Sequence, residues 1–240
     1  MKEAVKRILK SCGIGRLAYE PLHKLYRMYS VPRRRRILKR HGVEVLSDLA
    51  EIFKRRGIPA YAIYGTLLGF VRDGGFMPHD DDIDVGIIPG RGWDAKRLVK
   101  VLLEEENGFS FMRSLIYNGV VDEVTMIHKK VPVDFFFYED DGEWFYQHCY
   151  YYQKGEHYPN DKANSVYKLP QLRHSDIKLL DVMGVKFPVP MKAEEECEDH
   201  YGVNWRVPDP VYDGEFNPKF TRMPGFGYSC SLDEVFDVDK

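Results

Sequence analysis

The spacing of apolar positions changes several times along the 240-residue chain, and each change marks a predicted element. In "VPRRRRILKRHGVEVLSDLAEIFKRRG", Ile37, Leu38, Val45, Leu46, Leu49, Ile52 and Phe53 recur at three- and four-residue intervals. That spacing predicts an amphipathic helix with Gly57 as its stop, although Gly42 is a poor helix former in its interior. A weaker helical pattern around Ile8 and Leu9, then the aromatic-basic stretch "YEPLHKLYRMYS", precede it. "PAYAIYG" reads as a short strand, and "TLLGFVR" as a helix beginning at Thr66. "DDIDVGII" is a strand closed by Pro89-Gly90, and "WDAKRLVKVLLEEENG" an amphipathic helix ending at Gly108. "FSFMRSLIY", "DEVTMIHKK", "VPVDFFFYED" and "EWFYQHCYYYQ" are β-rich, with a turn at Asp141-Gly142. "LDVMGVKFPVP" is a further strand-like piece, and "KAEEECEDHYG" a short helix that stops at Gly202. The pattern predicts an α/β (α+β) protein without internal repeats. A helical region, 1–57, packs on a core, 58–205, and an irregular tail follows, 206–240.

Composition narrows the class. With 44% hydrophobic and 30% charged residues the chain can build a globular core, and a net charge of −2 offers no bulk basicity for nucleic acid. The four cysteines, Cys12, Cys149, Cys197 and Cys230, are scattered without a CxxC pair, so a reducing, cytoplasmic setting is expected rather than a disulfide framework. "MKEAVKRILKSCGIG" is too short and too charged for a signal peptide, and no apolar run reaches the length of a membrane span. The run Arg33, Arg34, Arg35 and Arg36 is either a solvated helix start or a peripheral contact to anionic lipid at the inner face of a membrane.

One stretch does not fit a purely structural account. "GFMPHDDDIDVGI" places Asp80, Asp81, Asp82 and Asp84 at the mouth of an apolar strand. Residues i and i+2 of a strand share a face, so Asp82 and Asp84 project together, with α-carbons about 6.6 Å apart. Two unit charges at that separation repel by about 2.5 kcal/mol at an effective dielectric near 20. Aspartates in turns and caps are commonplace, but these alternate into an apolar strand. A hard divalent cation relieves the repulsion, and Mg²⁺ commonly uses one or two carboxylates together with substrate phosphates. Just upstream, "YGTLLG" sets a glycine-containing turn between strand and helix, where main-chain N–H groups of Gly65 and Thr66 offer an anion site.

A glycine turn followed by D-h-D on the next strand resembles the nucleotidyltransferase fold, a mixed sheet flanked by helices. More narrowly, "YGTLLGFVRDGGFMPHDDDIDVGI" resembles the signature of the LicD family, the phosphocholine transferases related to fukutin and fukutin-related protein. "VPVDFFFY" resembles that family's I-D-I-F strand, and "VKFPVPMKAEEECEDHYGVNWRVPDP" its closing element. His79 departs from the family, which usually has Trp before the aspartates; the segment from Gly108 to Lys130 has no evident counterpart. The resemblance implies transfer of a phospho-alcohol from a CDP-linked donor, such as CDP-choline or CDP-ribitol, to a sugar hydroxyl of a glycan or glycolipid, with release of CMP. It implies Asp82, Asp84 and Asp134 as catalytic residues around Mg²⁺ or Mn²⁺, with Asp134 either a metal ligand or the proton acceptor. Gly65, Thr66, Arg72 and Asp81 would bind substrate, Arg72 through its planar fork unless it pairs with Asp73.

Two other classes stay open on the residues alone. A nucleotidyltransferase releasing pyrophosphate from a nucleoside triphosphate would use the same carboxylates, and a silent binding module would keep only the fold. Cys197 with His200, or His148 with Cys149, lack the spacing of a zinc site. The aromatic "YQHCYYYQ" suits sheet packing better than base stacking, and Trp205 suits an anchor for the tail.

Overall fold

The computed structural model describes residues 16–106, 108–153, 156–209 and 217–237, with side chains in its first helix from Met28 onward; the pattern around Ile8 and Leu9 lies outside them. In chain order the elements are α1 (Arg16–Arg56), β1 (Ala60–Ala62), α2 (Tyr64–Arg72), β2 (Ile83–Ile87), α3 (Ala95–Leu103), β3 (Ser110–Tyr117), β4 (Val120–His128) and β5 (Val131–Phe137). Then come β6 (Glu139–Asp140), β7 (Trp144–Tyr151), β8 (Ala163–Leu172), β9 (Ile177–Val182), β10 (Val185–Pro190), α4 (Ala193–Tyr201), β11 (Thr221–Cys230) and α5 (Leu232–Asp237). Nine strands form one sheet in the order β1-β2-β5-β4-β3-β11-β8-β7-β6, and β9 and β10 form a separate hairpin. Among the described residues only β2 and β5 run parallel; the other pairs are antiparallel. This is the α+β architecture, a mixed sheet flanked by helices, that the apolar pattern predicts.

Helix α1 covers one face of the sheet. Val45, Leu46, Leu49, Ile52 and Phe53 are buried, and the Phe53 ring meets Phe135 of β5 at 6.5 Å and Phe187 of β10 at 5.9 Å, both edge-on. A fully buried Phe is worth about 1.5–3 kcal/mol, so this row alone ties α1 firmly to the sheet. Gly42 has a packing reason: a Cβ there would lie 2.6 Å from the Phe76 ring. Gly57, at φ +66°, ends the helix in a left-handed turn. The helix also continues backward through Pro32, so the aromatic-basic stretch and the predicted helix are one element.

Three boundaries differ from the periodicity. Helix α2 starts at Tyr64, two residues before Thr66. Helix α3, capped by the Asp94 carboxylate on the Arg97 amide at 2.8 Å, ends at Leu103 and not at Gly108. The reason is Glu105, which turns inward to accept from Arg55 and from Arg56 Nε at 2.9 Å. "LDVMGVKFPVP" is a hairpin, β9 to β10, turning at Met183-Gly184, both at positive φ.

Larger corrections concern β8 and the tail. "ANSVYKLPQL" forms β8 although Pro170 and its polar residues hide any alternation. Pro170 is tolerated because β11 pairs with β8 only as far as Lys168, leaving the ladder on that side open. The tail, expected to be irregular, carries β11 and α5. Strand β11 fills the gap between β3 and β8, and the turn-like "MPG" is a bulge within it, between Arg222 and Phe226. Trp205 is buried in the main core.

Gly227 of β11 is where this inserted strand is tightest. A Cβ there would overlap the Tyr150 ring and lie 2.8 Å from Val166 Cγ2. Gly227→Ala is expected to destabilise the protein by about 1–3 kcal/mol, the usual range for overpacking. Urea unfolding followed by circular dichroism measures it, and an unchanged midpoint would show that β11 is not held against β7 and β8 as described.

Candidate active site

The parallel pair β2 and β5 is in a register that sets Asp84 directly beside Asp134. Across β5, Thr125 of β4 lies opposite Asp134, and Arg113 of β3 lies opposite Thr125. A row Asp84–Asp134–Thr125–Arg113 therefore crosses four strands on the face away from α1. Asp82, one strand step before Asp84, and Glu123, one step beyond Thr125, extend it on the same face. Arg113 donates from Nε to Thr125 Oγ1 at 3.1 Å and from Nη2 to Glu123 Oε1 at 2.9 Å.

The electrostatics are dominated by crowding of like charge. Burial and the neighbouring Asp134 and Asp81 push the Asp82 carboxyl up to about 8, with Arg34 opposing. Burial, Asp82 and Asp134 raise Asp84 well above the carboxylate range. Asp134 is also raised by burial, with Arg113 and the Thr125 hydroxyl working against the shift. Glu123 is raised to about 8 by burial, against the pull of Arg113. Asp80 is raised to about 6 by burial and accepts from the Met77 amide at 2.7 Å. Asp134 Oδ1 is buried without a hydrogen-bond partner. Carboxylate oxygens, one of them orphaned, are the donor type that a hard divalent cation takes. Among the described residues no group of three or more His, Cys, Asp or Glu side chains already stands in a metal-holding arrangement, the cysteine–histidine pairs included.

The glycine turn stands over this row. Thr66, fully buried, accepts the Asp84 amide on Oγ1 at 2.9 Å, so its side chain pins the start of α2 to β2. Gly65 faces the carboxylates: a Cβ there would lie 3.7 Å from Asp80 Oδ1 and 3.8 Å from Asp84 Oδ2. The first helical bond runs from the Leu67 amide to the Ile63 carbonyl, and the amides of Gly65 and Thr66 belong to the helix start that has no intrahelical acceptor. Tyr64 reaches this turn at φ +48°, a conformation that costs a residue with a side chain about 1–2 kcal/mol and that collects at functional sites.

Two expected substrate contacts are engaged elsewhere. The Arg72 fork is bidentate on Asp73, at 3.0 and 2.8 Å, with Nη2 also 3.0 Å from Met77 Sδ. Asp81 pairs with Arg34 at 2.5 Å. The cation that faces the row is Arg113. It lies in a stretch where no family motif is evident in the sequence, so the fold reveals it. Glu123 carried the same signal as Asp134, an acid inside an apolar strand, and was readable from it.

Beside the row opens a cavity of about 300 Å³, walled by Tyr64, Glu123, Phe136, Tyr151, His200 and Tyr201 among others. The His200 ring tilts against Tyr64 at 5.0 Å, and burial with the nearby Lys219 lowers its pKa to about 4, so it is neutral. Gln171 Nε2 donates to the Tyr64 hydroxyl and, at 3.1 Å, to Gln147 Oε1, fixing that wall.

Residues 57–191 match the family model described as "LicD/FKTN/FKRP, nucleotidyltransferase domain". The match contains every element from β1 to β10, and so every carboxylate of the row. Among curated proteins the chain is 23% identical over 207 residues to the ribitol-5-phosphate transferase FKTN of Mus musculus, covering 84% of this chain and 41% of that protein. To the Homo sapiens protein of the same name it is 23% identical over 205 residues, covering 83% and 41%. An uncharacterized protein of Rickettsia typhi, RT0683, is 26% identical over 139 residues, covering 57% of this chain and 40% of that one. The chain thus spans about two fifths of the length of these relatives.

Repulsion in the row gives a pH signature. Asp82 has a folded pKa of about 8 against an ordinary value of 3.8, so the folded state holds a proton that the unfolded chain releases. Its contribution becomes unfavourable as pH rises above about 4 and levels off above about 8. In a chelator, Asp82→Asn is expected to gain stability relative to the wild type as pH rises through this window, measured by thermal melts at pH 5 and pH 8. Equal melting differences at the two values would mean the Asp82 carboxylate is not crowded.

Proposed function

The chain belongs to the LicD/FKTN/FKRP nucleotidyltransferase-domain family, and from that premise we propose that it is a Mg²⁺-dependent transferase that moves a phospho-alcohol from a CDP-linked donor to a sugar hydroxyl of a glycan or glycolipid, releasing CMP. The observation that carries the reading is the side-by-side register of Asp84 and Asp134 beneath the Gly65 turn. A cation on those carboxylates and a phosphate on that turn would lie next to each other.

In the proposed reaction an oxygen of the sugar hydroxyl bonds to the phosphorus that carries the alcohol. The bond from that phosphorus to the CMP oxygen breaks, CMP leaves with the bridging oxygen, and the hydroxyl proton goes to a base. Held by Asp82 and Asp84, with Asp134 as the third ligand, Mg²⁺ would neutralise pyrophosphate charge and stabilise the leaving phosphate. The amides of Gly65 and Thr66 bind a donor phosphate at the positive end of α2. Gly65 keeps that approach open because it has no side chain. Arg113 holds Glu123 and Thr125 on the flank and balances the row. The non-phosphate part of the donor lies in the aromatic cavity, with the neutral His200 at its wall. Most of the catalysis is then positioning and charge stabilisation, as phosphoryl transfer requires.

The test is product analysis with a panel of CDP-alcohols and Mg²⁺ or Mn²⁺. CMP together with a phosphodiester product supports the proposal; pyrophosphate from a nucleoside triphosphate supports a nucleotidyltransferase instead. Asp84→Asn is expected to abolish turnover in a folded protein. Asp134→Asn separates two roles. As a ligand, its loss weakens metal-dependent binding of a non-reactive donor analogue. As the base, its loss leaves binding intact and removes transfer. We expect weakened binding, because the orphaned Oδ1 is an acceptor without a proton donor. Titration calorimetry with and without Mg²⁺ on wild type and variant decides; unchanged metal-dependent affinity with transfer gone assigns the base.

Gly65→Ala adds a Cβ that folds without clash, at 3.5 Å or more from its neighbours, but intrudes on the phosphate approach. Donor affinity is expected to drop at least about tenfold with little change in melting temperature. Unchanged affinity would move the phosphate away from the turn.

A further inference from the structure

The four arginines at the start of the basic run do not act together. Arg34 and Arg35 turn inward: Arg34 pairs with Asp81 at 2.5 Å, and Arg35 Nε donates to the His79 carbonyl at 2.9 Å. Both hold the loop that leads into the carboxylate row. Arg33 and Arg36 are exposed, as are Lys39 and Arg40 about one turn beyond Arg36, with no ion pair among the described residues. At 100° per residue, Tyr29, Arg33, Arg36, Arg40 and Val43 fall within an arc of about 80° and a length of about 21 Å. Met28 and Lys39 flank the arc. Tyr29 is 64% exposed, Met28 68% and Val43 41%, and no acidic residue occurs between Met28 and Val43. The first acid, Glu44, is occupied by His41 and Lys129.

A solvated helix face has no need of an exposed Tyr and Met at one end, a Val at the other, and unbalanced cations between them. We infer that this stripe of α1 docks the protein on an anionic lipid bilayer, with the helix lying in the plane of the headgroups. Arg33, Arg36, Lys39 and Arg40 meet lipid phosphates, and Met28, Tyr29 and Val43 enter the interfacial layer. Lipid fits better than nucleic acid because the apolar and aromatic side chains cap both ends of the stripe, where a bilayer interface receives them and a phosphodiester backbone does not. No helix among the described residues is long and apolar enough to cross a membrane, so the contact is one of surface docking. Arg34 and Arg35 tie the loop that leads into the carboxylate row to the same turns of α1, so docking fixes that loop relative to the headgroups. The docking itself stands apart from the proposed chemistry.

The experiment is co-sedimentation of the full chain with vesicles of phosphatidylcholine alone or of equal parts phosphatidylcholine and phosphatidylglycerol. Binding is expected only to the anionic vesicles and is expected to weaken with added salt. Each basic residue near an anionic surface contributes about fivefold in affinity, so R33Q/R36Q/K39Q/R40Q is expected to lose at least about a hundredfold. Its melting temperature is expected to stay unchanged, because these side chains have no ion pair among the described residues. The double variant K178Q/K186Q, on the β9–β10 hairpin, keeps wild-type binding. If the quadruple variant does not fold, R36E alone carries the test, with an expected loss of about 25-fold for a two-unit charge change. Equal binding to neutral vesicles, retained binding by the stripe variants, equal loss in K178Q/K186Q, or tighter binding of single-stranded RNA than of anionic vesicles to the wild type would each overturn the inference.

Discussion

The side-by-side placement of Asp84 and Asp134 on the parallel strand pair β2–β5 is the constraint around which the rest is arranged. Adjacent strands are about 4.8 Å apart, so no register with Asp84 opposite Asp134 lets the two carboxylates avoid each other. Asp82 on the same face adds to the repulsion. The fold answers with fixed features on three sides. Thr66 bonds the Asp84 main chain and sets the start of α2 above it. Arg113 reaches over β4 to Thr125 and Glu123. Arg34 pairs with Asp81. Arg34 and Arg113 offset part of the repulsion, and the carboxyls remain raised.

Helix α1 links the core to this site. Its inner face supplies Leu46, Leu49, Ile52 and Phe53 to the core, and its second surface carries Arg34 and Arg35 to the acidic loop. Its third is the exposed basic stripe. One helix therefore fixes the sheet, the loop and the outer surface relative to one another. At its far end Arg55 and Arg56 reach the inward-turned Glu105 and hold α3 to the same scaffold. A buried carboxylate with two guanidinium partners is costly to break from one side only, so the α1–α3 contact is specific as well as apolar.

What could be read from the sequence follows from how local each signal is. Helix periodicity, the β2 strand and the Asp82–Asp84 pair are written within a few consecutive residues, and the glycine turn lies next to them. Asp134 needed only the contrast between one acid and an apolar strand. The partners of Arg72 and Asp81 were not legible in the same way, because a fork that suits a phosphate suits Asp73 equally well, and the choice depends on distance. Arg113 was invisible because β3 carries no motif, and its importance comes from crossing β4 in register. Strand β8 was hidden by Pro170, which is tolerated only because the neighbouring ladder stops short. Strand β11 was hidden by Pro224 and Gly225, which form a bulge where the sequence reads as a turn. Long-range strand insertion leaves no local periodic trace, since the gap it fills is made by segments more than fifty residues away.

The left-handed Tyr64 joins the two halves of the site. Its backbone turns the chain from β1 into α2, which is what brings the Gly65 amide over Asp84. Its ring is then carried outward to meet Phe136 edge-on at 5.3 Å and His200 at 5.0 Å, forming a wall of the cavity. A glycine at position 64 would remove the strain and with it the wall; a residue in an ordinary conformation would keep the wall and misdirect the helix start. The strained tyrosine does both, at a cost on the order of 1 kcal/mol that the surrounding contacts of Gln171, Phe136 and His200 over-determine. In the proposed reaction, charge and phosphate would thereby be confined to the sheet row and the helix start, while the aromatic cavity beside them would be left to recognise whatever group the phosphate carries.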